Sequence, residues 1–260
     1  MNKMLNRVPE VTLYFWIIKI MATTVGETGA DFLAFTMNFG LASTSYLMGA
    51  LLVVVLWNQF RLRRYIPLSY WAVVVLISIV GTLITDRLVD EMGVSLVTIT
   101  IVFTLALLGV FAIWYDSERT LAMHSITTTK RELFYWAAIL LTFALGTAAG
   151  DLLAEKLNLG YGLSAVLFGA VIAIITISYY RFSMDAVLTF WLAYVLTRPL
   201  GASIGDLLSQ PVKNGGLGFG TVGTTIAFTT TIAILIVYLS IQQKKVAKSR
   251  LSAIELSNRH

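Results

Sequence analysis

Long apolar stretches, separated by short polar connections, occupy most of the chain. A helix needs about 20 residues to cross the ~30 Å hydrocarbon core of a bilayer. Eight stretches reach about this length, at residues 11–36, 41–60, 67–91, 94–115, 132–157, 161–180, 186–209 and 218–241. They are continuously apolar and lack the two-residue alternation of barrel strands. The pattern therefore predicts an all-α, polytopic integral membrane protein whose eight transmembrane helices form four tandem helical hairpins.

Composition and charge agree with this prediction, since 57% of the residues are hydrophobic and 13% are charged, unlike a soluble domain. We expect one membrane domain over residues 1–260, with a basic cytoplasmic tail at 246–260. Fourteen of the nineteen Lys and Arg residues fall at the termini or in links that follow even-numbered stretches. The positive-inside rule then predicts that both termini are cytoplasmic. Such a basic surface is typical of contact with lipid headgroups, and we expect no nucleic-acid partner.

An internal repeat is the strongest feature of the sequence. A tryptophan preceded by Phe or Tyr begins each odd-numbered stretch, a glycine follows ten residues later, and an aspartate follows fifteen residues later. The three sets are Trp16, Trp71, Trp136 and Trp191; Gly26, Gly81, Gly146 and Gly201; and Asp31, Asp86, Asp151 and Asp206. A 120-residue offset also relates copy one to copy three and copy two to copy four. We infer repeats at about 9–65, 66–126, 127–187 and 188–245, arranged as duplicated four-helix halves with parallel orientation.

The repeated glycines and tryptophans have structural explanations. A residue of small or moderate size, Ala30, Thr85, Gly150 or Gly205, follows each signature glycine by four residues, a spacing that lets helices approach closely in lipid. We therefore expect the glycines to serve packing rather than ligand binding. For the tryptophans two interpretations stay open, an aromatic belt at the headgroups or a hydrogen bond inside the protein.

The repeated aspartates are candidates for function. If each span is helical, every Asp lies about 22 Å beyond its Trp, in the outer half of the membrane. Around a common axis the four carboxylates can face the interior together and form a cation site, since their oxygens suit protons and divalent metals. Alternatively, each Asp accepts hydrogen bonds from Ser, Thr or backbone groups of the adjoining loop and only fixes a turn. We favour the functional role because acids inside membranes usually serve function.

Charged residues outside the repeat add to this hypothesis. Only the first copy, "GETGADFL", has a second acid, and Glu27 and Asp31 are four residues apart, so they lie on one helix face and can converge on one ion. Lys19 and Arg198 are basic residues within the predicted spans, and we expect them to neutralise Glu27 or an Asp, or to form structural ion pairs. Pro199 predicts a kink beside Arg198.

Common enzyme sites lack their components in this sequence. His124 and His260 are the only histidines, cysteine is absent, and no Gly-rich phosphate loop occurs. These absences exclude paired-histidine metal sites, thiol chemistry and a nucleotide-driven pump. We expect no cofactor and no enzymatic activity, although a pair of aspartates can in principle activate water in an intramembrane hydrolase.

The opening segment also carries a family resemblance. "RVPEVTLYFWIIKIMATTVGETGADFL", with the recurrent aromatic-Trp and Gly-x4-Asp pattern, resembles an uncharacterised bacterial membrane family built from four tandem two-helix "repeats of unknown function". Each repeat of that family has a signature tryptophan, and the resemblance covers essentially the whole chain. It implies a multi-pass protein of the bacterial plasma membrane. It implies no activity.

Two functional hypotheses follow from these residues. The first is a secondary transporter or exchanger of a small cation, with proton-coupled export of a divalent metal as one form, in which Glu27 and Asp31 lie at the centre of the site. The second is a non-transporting membrane protein for binding or assembly, in which the repeated Trp and Asp residues are structural. The lipid bilayer is the partner expected in both cases, and the sequence leaves the metal and the oligomeric state open.

Overall fold

The computed structural model describes residues 6–257, with side chains for residues 6–245. Within that range the chain forms eight α-helices and no strand. They are α1 Leu13–Asp31, α2 Leu41–Arg61, α3 Pro67–Asp86, α4 Leu96–Glu118, α5 Thr129–Asp151, α6 Tyr161–Phe182, α7 Ala186–Ser209 and α8 Gly220–Ser257. The all-α prediction is therefore confirmed. The side chains of the predicted basic tail at 246–260, and Lys3 at the other terminus, lie outside the described residues.

Seven of the described helices, α2 to α8, are long and apolar enough to cross a membrane. The remaining helix, α1, carries Lys19, Glu27 and several threonines within its 19 residues. Nearly all of these polar side chains are buried inside the protein. The lower hydropathy of α1 thus arises from residues that face other helices rather than from an exposed polar surface.

The odd-numbered helices form a closed ring. Helix α1 packs against α3, α3 against α5, α5 against α7, and α7 against α1. The even-numbered helices lie outside this ring, and their exposed side chains are apolar, as at Val53, Leu105, Val166 and Ile234. Such a surface suits contact with lipid chains. The four helices that carry the signature residues therefore surround the central axis of the protein.

The packing pairs differ from the hairpins that we expected from the sequence. Each even-numbered helix makes its main contact with the odd-numbered helix that follows it, so that α2 packs on α3, α4 on α5, and α6 on α7. Helix α8 completes the arrangement by packing on α1. The unit of packing thus crosses the boundary of the repeat. An odd-numbered helix and the even-numbered helix after it are joined by a short connection. Beyond that connection they diverge and pack on other helices.

The signature glycines hold the ring together. Each lies under the side chain found seven residues after the Trp of the neighbouring helix: Ser78 over Gly26, Phe143 over Gly81, Arg198 over Gly146 and Thr23 over Gly201. A Cβ added to any of these glycines would overlap that side chain. Close approach of the four helices therefore depends on the glycines, which matches the packing role expected from the sequence.

Three signature aspartates stand at a change of helical geometry. Asp31, Asp86 and Asp151 are each the last α-helical residue before a π-helical turn, at Phe32–Thr36, Arg87–Glu91 and Leu152–Lys156. In the fourth copy α7 continues through Pro199 and past Asp206 to Ser209 without such a turn. Single π-helical turns are frequent at functional sites. Asp206 is also the least exposed of the four, with 7% of its surface exposed.

Candidate functional site

Aromatic side chains close one end of the ring, which we call the Trp end because α1, α3, α5 and α7 begin there. The residue before each signature Trp is buried, and these residues are Phe15, Tyr70, Tyr135 and Phe190. The hydroxyl groups of Tyr70 and Tyr135 hydrogen-bond to each other, and the rings of Phe15 and Phe190 lie 6.1 Å apart. The Trp end is therefore filled with packed rings.

The signature tryptophans belong mainly to this packed region. Trp71, Trp136 and Trp191 are buried inside the protein, whereas Trp16 is partly exposed. The indole of Trp191 donates to the backbone oxygen of Leu121 at 3.0 Å, and that of Trp136 donates to Glu132 at 3.3 Å. Of the two interpretations left open by the sequence, the hydrogen bond inside the protein describes Trp136 and Trp191. The indole nitrogen of Trp71 is buried but has no hydrogen-bond partner among the described residues.

An ion pair lies at the middle of the axis. The Nη2 atom of Arg198 donates to Glu27 Oε2 at 2.8 Å and to Thr147 Oγ1 at 2.6 Å, and it also donates to Thr82 Oγ1. Arg198, Thr82 and Thr147 are completely buried, and Glu27 is 5% exposed. Four different helices supply these residues, so the pair links α1, α3, α5 and α7. Arg198 is the partner of Glu27, as one of the sequence-based alternatives proposed.

Lys19 does not neutralise an acid, which corrects the expectation from the sequence. The side chain is completely buried, and its Nζ atom has no hydrogen-bond partner among the described residues. It lies 4.0 Å from the ring centre of Phe143 and 4.3 Å from that of Tyr194. Eight residues separate Lys19 from Glu27 along α1, and the Lys19 side chain points to aromatic rings rather than to the carboxylate.

Three carboxylates converge at the opposite end of the ring, which we call the Asp end. One oxygen each from Glu27, Asp151 and Asp206 lies within 4.8 Å of the other two. Asp86 and Asp31 are outside this group of three, but both lie close enough to Glu27 for their charges to interact. The sequence had placed Glu27 and Asp31 at the centre, whereas the structure brings Glu27 together with aspartates of the third and fourth copies.

The aspartates lack the partners that a purely structural role requires. None of Asp31, Asp86 and Asp151 uses its side chain to cap the π-helical turn that follows it. Among the described residues, no side-chain hydrogen bond or ion pair joins any of the four signature aspartates to another group. The alternative in which each Asp separately fixes its own loop is therefore not the arrangement that the structure shows.

The spacing of the three oxygens fits a divalent cation. Oxygen ligands of Ca²⁺ lie at about 2.3–2.6 Å from the ion, and those of Mg²⁺ at about 2.0–2.1 Å. One oxygen from each of the three carboxylates lies within 4.8 Å of the other two, so a small inward shift of the side chains would bring all three to such distances from one ion. Hard carboxylate oxygens are also the donors that these ions prefer. The group could hold a divalent ion without a large movement of the helices.

Access to this group is from the Asp end. Asp31, Asp86 and Asp151 are partly exposed, and Asp90 and Glu155 beyond them are exposed. Glu155 accepts a hydrogen bond from Tyr161 at 3.1 Å and lies within electrostatic range of Asp31. Exposure therefore decreases from this acidic rim, through the signature aspartates, to the fully buried Arg198.

Sequence reasoning missed several residues of the site. Thr82 and Thr147, which accept from Arg198, lie eleven residues after Trp71 and Trp136, the position that Glu27 has after Trp16. Phe143 lies at the position that Arg198 has in the fourth copy. Aligning the four copies would have found Thr82, Thr147 and Phe143. The residues seven and eleven positions after the Trp are charged in one copy and uncharged in the others.

Comparison with known proteins identifies the repeat but no activity. A family model described as a Repeat of Unknown Function (DUF347) matches four segments, residues 14–65, 69–120, 134–185 and 189–245. This match confirms the four tandem repeats indicated by the tryptophan pattern. No curated protein and no solved structure matches the chain significantly.

Proposed function

Because the chain belongs to the DUF347 repeat family, whose description carries no activity, we propose its function from the site itself: secondary transport or exchange of a divalent cation. The observation that supports this most is the convergence of Glu27, Asp151 and Asp206 within 4.8 Å. Acids inside a membrane are expensive and usually mark ion pathways. Asp31 and Asp86 complete the proposed site as further carboxylates between the bound ion and the rim.

The arrangement along the axis favours a carrier over a fixed structural ion. The carboxylates are reached from the Asp end, whereas buried aromatic rings fill the Trp end. A site open to one side only is the form that alternating access requires, since the second side opens in another conformation. Parallel repeats around one axis are a known plan for such proteins.

We further propose that all eight helices span the plasma membrane of a bacterium. The polar residues of α1 face the ring rather than lipid, which removes the main objection to α1 as a span. The basic residues at the Trp end support an orientation in which that end and both termini are cytoplasmic. The acidic rim would then face the outside.

Flux through reconstituted protein tests the proposed transport. Purified protein in liposomes should move Mn²⁺, Mg²⁺ or Ca²⁺ down an imposed gradient, measured with a metal-sensitive dye trapped inside. Asp206→Asn should slow this flux by more than roughly tenfold, the effect of losing about 1.4 kcal/mol of binding. The matched control is Asp90→Asn, because Asp90 is an exposed aspartate of the rim, and this variant should keep most of the flux.

Two results would count against the transport proposal. The first is no flux of any of the three ions through protein whose folded state is verified by its thermal unfolding transition. The second is equal flux in wild type, Asp206→Asn and Asp90→Asn. A loss of thermal stability without a specific loss of flux would support the structural role of the aspartates instead.

A further inference from the structure

Lys19 is a buried basic residue that the cation site does not use. It is completely buried, and its Nζ atom has no hydrogen-bond partner among the described residues. A lysine ammonium has three donors, and lysine is almost never fully buried unless it is paired. A structural ion pair therefore does not explain Lys19.

The surroundings of Lys19 act on its charge in opposite directions. The ring centres of Phe143 and Tyr194 lie 4.0 and 4.3 Å from Nζ, and the faces of aromatic rings attract an ammonium group. Arg198 brings a second positive charge to the same Phe143 ring, with its guanidinium carbon 5.7 Å from the ring centre, and like charges at such a distance repel each other. The surroundings of Lys19 therefore contain rings that favour its ammonium group and a neighbouring cation that opposes it.

Other titratable groups around Lys19 are few. Arg198 and Tyr194 face it from α7, and the hydroxyl groups of Tyr70 on α3 and Tyr135 on α5 lie near Tyr194. Helix α8 carries no charged side chain before Lys244, and its single tyrosine, Tyr238, lies against Tyr14. On α1 itself the nearest acid along the chain is Glu27. Arg198 is therefore the charged residue that interacts with both Lys19 and the carboxylates.

Arg198 connects Lys19 to the cation site. Its Nη2 atom is bonded to Glu27 at 2.8 Å, and its guanidinium carbon lies 5.7 Å from the centre of the same Phe143 ring that Lys19 contacts. A divalent ion bound to Glu27 competes with Arg198 for the carboxylate. The charge of Arg198 is then less neutralised, and together with the charge of the ion it disfavours a second buried cation at Lys19.

From this arrangement we propose that Lys19 holds the coupling proton of the transporter. Its amine is protonated when no divalent ion occupies the Glu27, Asp151 and Asp206 group, and it releases that proton to water when an ion binds. The exchange is one ion bound for one proton lost from Lys19, with no change in oxidation state. This inference rests on the proposed function and names the residue through which cation and proton movements are linked.

Calorimetry of ion binding tests the role of Lys19 without any transport. Mn²⁺ is titrated into detergent-solubilised full-length protein in two buffers of different ionisation enthalpy, which gives the protons released per ion bound. Wild type should release about one proton more than Lys19→Met, which has no proton to lose, and than Lys19→Arg, which keeps its proton. Lys213→Met is the matched control, because Lys213 is exposed in the loop before α8, and it should release as many protons as wild type.

The outcomes separate this inference from the proposed function. If wild type binds none of Mn²⁺, Mg²⁺ and Ca²⁺, the cation site itself is wrong and the inference fails with it. If wild type binds Mn²⁺ but Lys19→Met and Lys19→Arg release as many protons as wild type, the cation site stands and only the role of Lys19 is overturned. Should Lys19→Met fail to fold, Lys19→Arg, which keeps the cation, decides the question.

Discussion

Buried carboxylates at the two ends of the ring differ in the number of their hydrogen-bond partners. At the Trp end, Glu132 is completely buried and accepts hydrogen bonds from Arg7 at 2.7 Å, Gln59 at 3.1 Å and Trp136 at 3.3 Å. At the Asp end, Glu27 pairs with Arg198, and the four signature aspartates have no side-chain hydrogen bond or ion pair among the described residues. One acid has three donors, whereas of the five acids only Glu27 has a basic partner.

This difference separates structural acids from candidate functional ones. A buried carboxylate whose oxygens are satisfied by the protein has no capacity left for an ion and mainly holds helices together. Carboxylates without such partners repel one another and retain lone pairs for a ligand. To tell a structural acid from a functional one, the number of hydrogen-bond donors around the carboxylate is thus more informative than its position inside the membrane.

Removing the structural acid should give the largest loss of stability. Glu132→Ala removes the charged partner of Arg7 and the acceptor of the Gln59 amide, and breaking a buried ion pair costs about 3 kcal/mol or more. We expect a clear drop in the thermal unfolding temperature of the detergent-solubilised protein. Glu155→Gln is the control, since Glu155 is exposed at the rim and an amide oxygen can still accept the hydrogen bond of Tyr161, and its effect should stay within about 0.5 kcal/mol. Equal losses in the two variants would remove the distinction between the ends.

Breaking the ion pair between Glu27 and Arg198 should have a smaller effect. Glu27→Gln removes the charged partner of Arg198 but leaves an amide oxygen in its place, and Asp151 lies within electrostatic range of the guanidinium. We expect a loss of about 2 kcal/mol, typical of a hydrogen bond to a charged group. A double-mutant cycle with Arg198→Gln should show coupling between the two residues. Additive losses would mean that the pair does not act as a unit.

Neutralising an unpartnered aspartate should raise stability slightly. Asp86 has the acidic neighbours Glu27, Asp151 and Asp31 and no hydrogen-bonded partner among the described residues, so Asp86→Asn breaks no contact and removes a carboxyl group whose surroundings disfavour its charge. The unfolding temperature should therefore increase. Asp116→Asn provides the control, because Asp116 is 80% exposed beside Arg119 and surface pairs contribute little. A decrease for Asp86→Asn would show that this carboxylate supports the fold.

Much of the architecture was readable in the sequence. The apolar stretches marked the helices, and the spacing of Trp, Gly and Asp marked four equivalent copies. The small residues around Gly26, Gly81, Gly146 and Gly201 indicated close packing. Such features are local or periodic, and a helix repeats them in space as directly as in the chain.

The partners of individual side chains were less predictable. Lys19 was expected beside an acid and lies instead against Phe143 and Tyr194. Glu132 and Gln59 had no pattern that distinguished them, and their contact joins residues 73 positions apart. Because even-numbered helices pack across repeat boundaries, contacts within one repeat were a poor guide to contacts in the fold.

The sequence by itself determined the repeated helices, the glycines at which they pack closely and the presence of acids among apolar residues, because these features depend on composition and periodicity. Only the tertiary structure decided which acids meet, since closure of α1, α3, α5 and α7 into a ring brings Glu27 to Asp151 and Asp206 from distant copies. It also decided that Arg198, and not Lys19, reaches Glu27. Charge pairing depends on distances of a few ångströms between helices, and those distances are set by packing rather than by spacing along the chain.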